Sequence, residues 1–575
     1  MSCVVSVANK RLRVDIGQLS TRSPMTRAWV VLSAGLQLLA IVVQARAAAP
    51  ADSKLQLTSL FPPVASIGSS SEITAEGSFP DWPVDIFCDR DDVRIECGTE
   101  AKKLLISVAD RATPGVAWVR LYNRSSASQL LPILIEQSPV LVEAADQAKS
   151  HVLSASDLPL SLCGKIRKQD EIDFVSVSLA TGQRLKVTTV ANRLLQSPMD
   201  AVLQITDRQG NVLMQNDDER GLDPQLTFTA RESQEVLVRI LAFPETPNST
   251  IAFAGSESYA YIMQMSLDSP LDHFLPLLAV GTAEPFCDCS DEASAVVETV
   301  TTGLSPRLAF VRGQNVWQWL PQLPSSCQSK MEPCEDEPIE ALVSLPSCFS
   351  GHIASEREID VFRFSAEAGR KYRARVFSRE FGFPLDSTIQ LVDAETHAVI
   401  AENDDGSRND YDARVDFSVK SDSVLELRIG DAAGSSGYRH AYTALVEPVV
   451  PSVQLTVATA EYALAIGGDV ELSVAIRRED NCLQPLEIVA VDLPAGVTCA
   501  AVRSEPKGDS SKSVKLKLAA TNEVSVSQGT FRIIATEIGG QTDSIPCIVS
   551  QSVVHLLRPQ VPISDFWLTV YEQQK

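Results

Sequence analysis

Two short acidic stretches carry the side chains best suited to do chemistry. Asn216-Asp217-Asp218 with Asp223, and Asn403-Asp404-Asp405 with Asn409, Asp410 and Asp412, gather carboxylates and amides on turns. Calcium takes roughly six to eight oxygen ligands and favours such groups, so the chemistry on offer is divalent-cation binding. Asp200 and Asp386, each opening the strand before its loop, can reach the same end of a sandwich and complete the candidate set. The loops are not EF-hands, because nothing helical flanks them and no closing Glu follows. The same residue types also shape turns by bonding to their own backbone, and the spacing leaves both readings open.

A search for catalytic groups finds little. His151, His273, His352, His397, His440 and His555 are scattered singly, with no H-E-x-x-H and no pair at a metal-ligand spacing. Gly68-Ser69-Ser70-Ser71 and Gly434-Ser435-Ser436-Gly437 are loops and not nucleophile elbows, and no phosphate-binding glycine loop occurs. Paired carboxylates across a sandwich face remain open to a glycosidase, but nothing in the sequence singles such a pair out.

The elements that position the acidic loops come in two copies. Asp200 to Phe228 and Asp386 to Phe417 each read as an alternating strand, a polar turn, a short second strand, an acidic loop and a third strand. Gly164 and Gly351, Glu171-Ile172-Asp173 and Glu358-Ile359-Asp360, Gly182 and Gly369, and the two Asn-Asp-Asp triplets all stand 187 residues apart. Chance does not hold one offset across four features, so residues 148–268 and 341–447 are expected to be homologous domains.

The ordered set Gly164, Asp173, Gly182, Asp200, Gly210, Asp217, Tyr259 resembles the bacterial pre-peptidase C-terminal domain, and Asp360, Gly369, Asp386, Asp404 and Tyr442 resemble it again. The second copy departs from the pattern at Ala394-Glu395-Thr396-His397, where the first has its Gly210-Asn211 turn. That resemblance implies a small, non-catalytic β-sandwich of the kind appended to secreted enzymes, with a role in attachment to substrate or matrix.

Around these repeats the chain reads as all-β: tandem β-sandwich domains, immunoglobulin-like and jelly-roll-like, joined by short linkers. Residues 52–140 alternate short apolar strands with turns, and Ala112-Thr113-Pro114-Gly115 leading into Val116 to Leu121 resembles the immunoglobulin-like IPT/TIG family. Residues 450–556 give about seven more alternating strands. Within them, Val491 to Val497 resembles a strand-turn of immunoglobulin-like modules in bacterial surface proteins. Residues 557–575 are too short for a domain and are expected to pack along one. Residues 269–340 have poor periodicity and several cysteines, and read as a disulfide-stapled connector.

Residues 1–47 read as a secretory leader, with Met25 as the expected true start: a cationic opening, an apolar run and a small-residue exit at Ala47 or Ala49. No later stretch approaches spanning length. Removing the leader makes the chain more acidic than its formal charge of −23, which excludes a nucleic-acid binder. Eleven of the twelve cysteines lie beyond the leader, where an oxidising compartment favours disulfides over metal. Cys88 with Cys97 and Cys482 with Cys499 are the expected pairs, and Cys327 and Cys334, in a stretch shared with Cys287, Cys289 and Cys348, are further disulfide candidates. The sequence thus reads as an exported, non-catalytic protein of the cell surface or periplasm that works by binding or spacing. Its expected partner is a protein or polysaccharide of the envelope or extracellular matrix, or a secreted hydrolase it assists. Calcium is its candidate cofactor. A secreted hydrolase with an unrecognised site and a structural envelope protein are the alternatives.

Overall fold

The structure, a computed structural model, describes residues 55–143, 152–246, 252–267, 272–280, 297–302, 305–311, 316–320, 322–323, 327–332, 342–408, 410–539, 545–549 and 563–573. The expected leader lies outside them. Among the described residues no helix is long and apolar enough to cross a membrane.

Alternation dictates the strands. Lys103–Val108 and Ser513–Ala520 each bury every second side chain, the pattern of a sheet with one face on a core. The first sandwich packs the sheet Gln56–Phe61, Ser70–Ser78, Lys103–Val108, Val93–Cys97 on the sheet Val64–Ser66, Leu131–Glu136, Gly115–Tyr122, Asp85–Cys88. Leu57, Ile73, Ile106, Val119 and Ile133 fill the space between them.

The two repeats share one strand order. In the first, Val140–Val142, Leu160–Lys165, Ala260–Leu267, Arg184–Val190 and Gln225–Thr229 form one sheet. In the second, Gln328–Met331, Ser347–His352, Ala441–Pro448, Lys371–Phe377 and Arg414–Ser418 do the same. Each repeat therefore takes in an edge strand lying before the boundaries expected at 148 and 341, added in parallel to the next strand. Each also brings together the same four groups: Glu143, Gly164, Asp173 and Tyr261, then Glu332, Gly351, Asp360 and Tyr442. The tyrosine hydroxyl donates to the aspartate, at 2.9 Å in the first copy and at the same place in the second. A Cβ on Gly164 or Gly351 would collide with that hydroxyl and with the glutamate, so these positions must be glycine. Tyr261, rather than Tyr259, is thus the counterpart of Tyr442.

The segment read as a connector contains a meander, Val297–Thr302, Ser305–Val311 and Val316–Leu320. Before it, Leu275, Leu277 and Leu278 are buried against Phe381, Phe383 and Leu445 of the second repeat. Part of the expected tail joins a sandwich. Asp565–Tyr571 is a strand of the last sandwich, antiparallel to Ser527–Glu537 and parallel to Glu461–Ala465, because its apolar alternation supplies Phe566, Leu568 and Val570 to that core.

The last sandwich packs on the first, and one continuous core joins Val64, Val116 and Trp118 to Leu464, Phe566 and Leu568. Arg120, 1% exposed, pairs with Glu461 at 3.0 Å and lies 5.4 Å over the Trp567 ring. Phe87 and Tyr122 rings flank the same tryptophan at 5.5 and 4.9 Å. The Gln528 amide donates to the Asn123 carbonyl. Asn123 is buried there, and its carboxamide oxygen accepts from the Ser125 and Ser126 N–H groups.

Cys88 and Cys97 end strands of opposite sheets, and the Cys97 thiol donates to the Val84 carbonyl. Cys482 is buried beside Arg478, while Cys499 faces its own neighbour Ala500. Cys327 stands against Cys348, and Cys334 lies outside the described residues.

Candidate functional site

The site with the densest chemistry lies where the two repeats meet. Lys186 is on the strand Arg184–Val190, on the sheet face away from the first repeat's core, and only 6% exposed. Beside it Asp272, in the segment leaving the first repeat, collects three cations: Lys186 at 3.4 Å, Arg220 at 3.0 Å and Arg439 of the second repeat at 3.0 Å. Gln225 adds an amide donor. Burial by itself would raise the Asp272 carboxyl, but Arg220 and Arg439, with the His273 bond and Lys186, hold it well below the usual carboxylate range. Burial works on Lys186 in the opposite sense and pulls it down to about 8.

Asp272 also orders an imidazole pair. His273 Nδ1 lies 3.2 Å from its carboxylate, and His273 Nε2 lies 2.9 Å from His352 Nε2. Burial pulls His273 down to about 4, so the ring is neutral near pH 7. With its single proton given to Asp272, His273 accepts at Nε2 and His352 donates there. The His352 backbone N–H then donates to Glu332, whose carboxylate reaches Asp360. A polar chain thus runs from Asp360 through Glu332, His352 and His273 to Asp272, crossing from one repeat to the other.

At the Asp272 end of this chain opens a cavity of about 390 Å³. Its wall carries Arg184, Lys186 and Arg439, the amides Gln215, Asn216 and Gln225, and the carboxylates of Glu219 and Asp272. Tyr438, 41% exposed, closes one side and stacks on His352 with the ring planes 12° apart. The volume falls in the range of small-ligand sites. A flat aromatic ring beside amide and guanidinium donors can hold a polar ring by stacking and hydrogen bonds together.

The acidic loops divide. Asp223 is buried and its carboxylate accepts from the Asn192 and Arg193 N–H groups, capping the turn Asn192–Leu195. Asp412 does the same for Ser378, Arg379 and Glu380. Both carboxylates thus cap turns, the second of the two roles these residue types share. Asn216 holds its loop through the Glu219 and Gln225 N–H groups, and Asn403 donates to the Asp405 and Arg414 carbonyls. Asp217, Asp218 and Asp404 are exposed, and Asp200, Asp386, Asp405 and Asp410 half-buried. Asn409 lies outside the described residues. Among the described residues no three His, Cys, Asp or Glu are gathered to hold a metal ion.

Sequence reasoning found Asn216 but missed Asp272, His273, His352, Lys186 and Arg439. His273 and His352 are 79 residues apart, and only the packing of one repeat on the other joins them. The adjacent Asp-His in an otherwise apolar stretch was the one available signal.

No family model and no curated protein matches the chain. Similar solved structures include the fibronectin(III)-like modules of Clostridium thermocellum CbhA, 12% identical over 39% of this chain and 91% of that one, with a TM-score of 0.12. The M60 catalytic domain with the CBM51-1 and CBM51-2 domains of Clostridium perfringens ZmpB is 8% identical over 69% of this chain and 55% of that one, with a TM-score of 0.13. The N-terminal four Ig domains of Dscam1 isoform 7.44 are 8% identical over 89% and 97%, with a TM-score of 0.18. Likenesses at this level carry no argument about chemistry, and the architecture rests on the sheets themselves.

Proposed function

We propose that the chain is an exported, non-catalytic binding protein of the cell surface or periplasm, and that it holds a polysaccharide segment of the envelope or matrix in the cavity between its repeats. The cavity carries the reading: it is polar, of ligand size, and has an exposed aromatic ring beside amide and guanidinium donors. The packing of the last sandwich on the first favours binding over spacing, since a spacer works by extension. The kinship of the repeats to the pre-peptidase C-terminal domain remains part of this proposal, and so does attachment beside a secreted hydrolase. A hydrolytic reading would draw on the Asp272–His273 pair. That pair's other ring nitrogen, however, bonds to His352 and not to a hydroxyl or thiol nucleophile.

Tyr438→Ala and Arg184→Gln should each weaken binding to a panel of acidic and neutral polysaccharides at least about tenfold, about 1.4 kcal/mol, with melting unchanged. Calorimetry on the parent and both variants measures this. Equal affinities in all three, or turnover of the glycans by the parent, would overturn the reading.

Calcium enters the proposal through the second loop. Asp386 is pushed up first by burial and then by Asp431, Asp405 and Asp404, against the pull of Arg379, and a cation would relieve that repulsion. With a dissociation constant near 1 mM, 5 mM calcium adds about 1 kcal/mol to stability. Melting with calcium against EDTA should show a rise in the parent that is absent from Asp404→Ala with Asp405→Ala. Superimposed curves for the parent would mean that the loops are turns only.

A further inference from the structure

We propose that Cys327 and Cys348 form a disulfide that staples the edge strand Gln328–Met331 to the second repeat. Their sulfurs stand 3.5 Å apart, and the residues are 7% and 0% exposed. The parallel register brings them together: Gln328 lies opposite Ser347 and Ser329 opposite Cys348, while the Gln328 N–H donates to the Pro346 carbonyl at 3.2 Å. A disulfide needs its sulfurs at about 2.05 Å, a closure that side-chain rotation supplies while the strands stay paired. The matching register in the first repeat places Ser138 and Ser161 at these positions, so the staple belongs to the second repeat alone. It gives Cys327, a candidate of the cysteine-rich stretch, a specific partner.

The chemistry is thiol–disulfide exchange. One thiolate attacks an external disulfide such as glutathione disulfide, forming a mixed disulfide and releasing one glutathione thiol. The second thiolate then displaces the other glutathione, so two protein thiols are oxidised, one external disulfide is reduced, and two protons are exchanged. Because Cys348 is wholly buried in the finished sheet, the exchange belongs to the folding chain. The staple also fixes the residue next after the strand, Glu332, which accepts the His352 N–H and reaches Asp360.

The test is to refold the reduced chain in a glutathione redox buffer, alkylate the remaining thiols, digest without reduction and identify cross-linked peptides by mass spectrometry. A Cys327–Cys348 peptide is expected. Dithiothreitol should then lower the melting temperature of the oxidised parent by roughly 5 °C or more, and leave Cys327→Ser with Cys348→Ser unmoved. Recovery of Cys327 joined to Cys334, or of Cys327 and Cys348 both alkylated, overturns the proposal. The peptide map of the parent decides this even if the double variant does not fold.

Discussion

Asp272→Ala lowers the stability of the paired repeats by about 3–5 kcal/mol, the cost of leaving buried charge without its partner. Lys186 and Arg439 lose their shared carboxylate, and Arg220 loses one of its acceptors. Burial already presses Lys186 toward its neutral form, so the lysine sheds its proton first. Adding Lys186→Met to the alanine variant removes one of the cations that lost this carboxylate and recovers part of the loss. Urea unfolding at pH 7 of parent, single and double variants measures both steps. A single variant with the parent's midpoint would mean that water already solvates the cluster.

Raising the pH from 6.5 to 8 destabilises the folded chain. Burial, with Glu332 and Glu358 adding to it and the Tyr442 hydroxyl opposing, pushes Asp360 up to about 8. Burial and Glu143 push Asp173 up to about 7, and burial does the same to Glu136 against its bonds from Ser161 and Gln264. A carboxyl raised in the folded state binds more protons there than in the unfolded chain. Its stabilisation is full below the unfolded pKa and is lost as pH climbs through the folded one, at about 1.4 kcal/mol per pH unit per proton. Two groups run the other way outside this window. His273, pulled down to about 4, costs stability as pH falls below 6.5, and Lys186, at about 8, restores stability only as pH rises above 8. Asp360→Asn keeps an acceptor for Tyr442 and offers Glu332 a permanent donor, so it flattens the profile between pH 7 and 8. Adding Asp173→Asn flattens it further toward 6.5. Urea midpoints across pH 6–9 give the slopes. A parent whose midpoint does not move between 6.5 and 8 would contradict the buried, protonated state.

The strands were legible because alternation is local: Ser513–Ala520 announces its buried face residue by residue. The repeat was legible because both copies keep the glycine that must admit a tyrosine hydroxyl. The junction was not. Lys186 reads as a solvent-facing residue between Leu185 and Val187, and it does lie on the face away from its own core; what buries it is the chain from Asp272 onward and Arg439 of the other repeat. The acidic loops were half legible for the same reason. Their residue types fit ligands and turns alike, and the turns that Asp223 and Asp412 cap show only in the fold.

The contact between the first and last sandwiches sets a timetable. Asn123 meets the Gln528 amide across 405 residues of chain, and the Trp567 ring that covers Arg120 comes later still. At roughly 5–20 residues per second of synthesis, the first sandwich waits on the order of 20 to 80 seconds for the surface that completes it. Through that interval Arg120, Phe87 and Tyr122 stand open to water and to any other chain nearby. The residues that make the most intimate contact in the finished molecule are therefore those most in need of guarding while it is made.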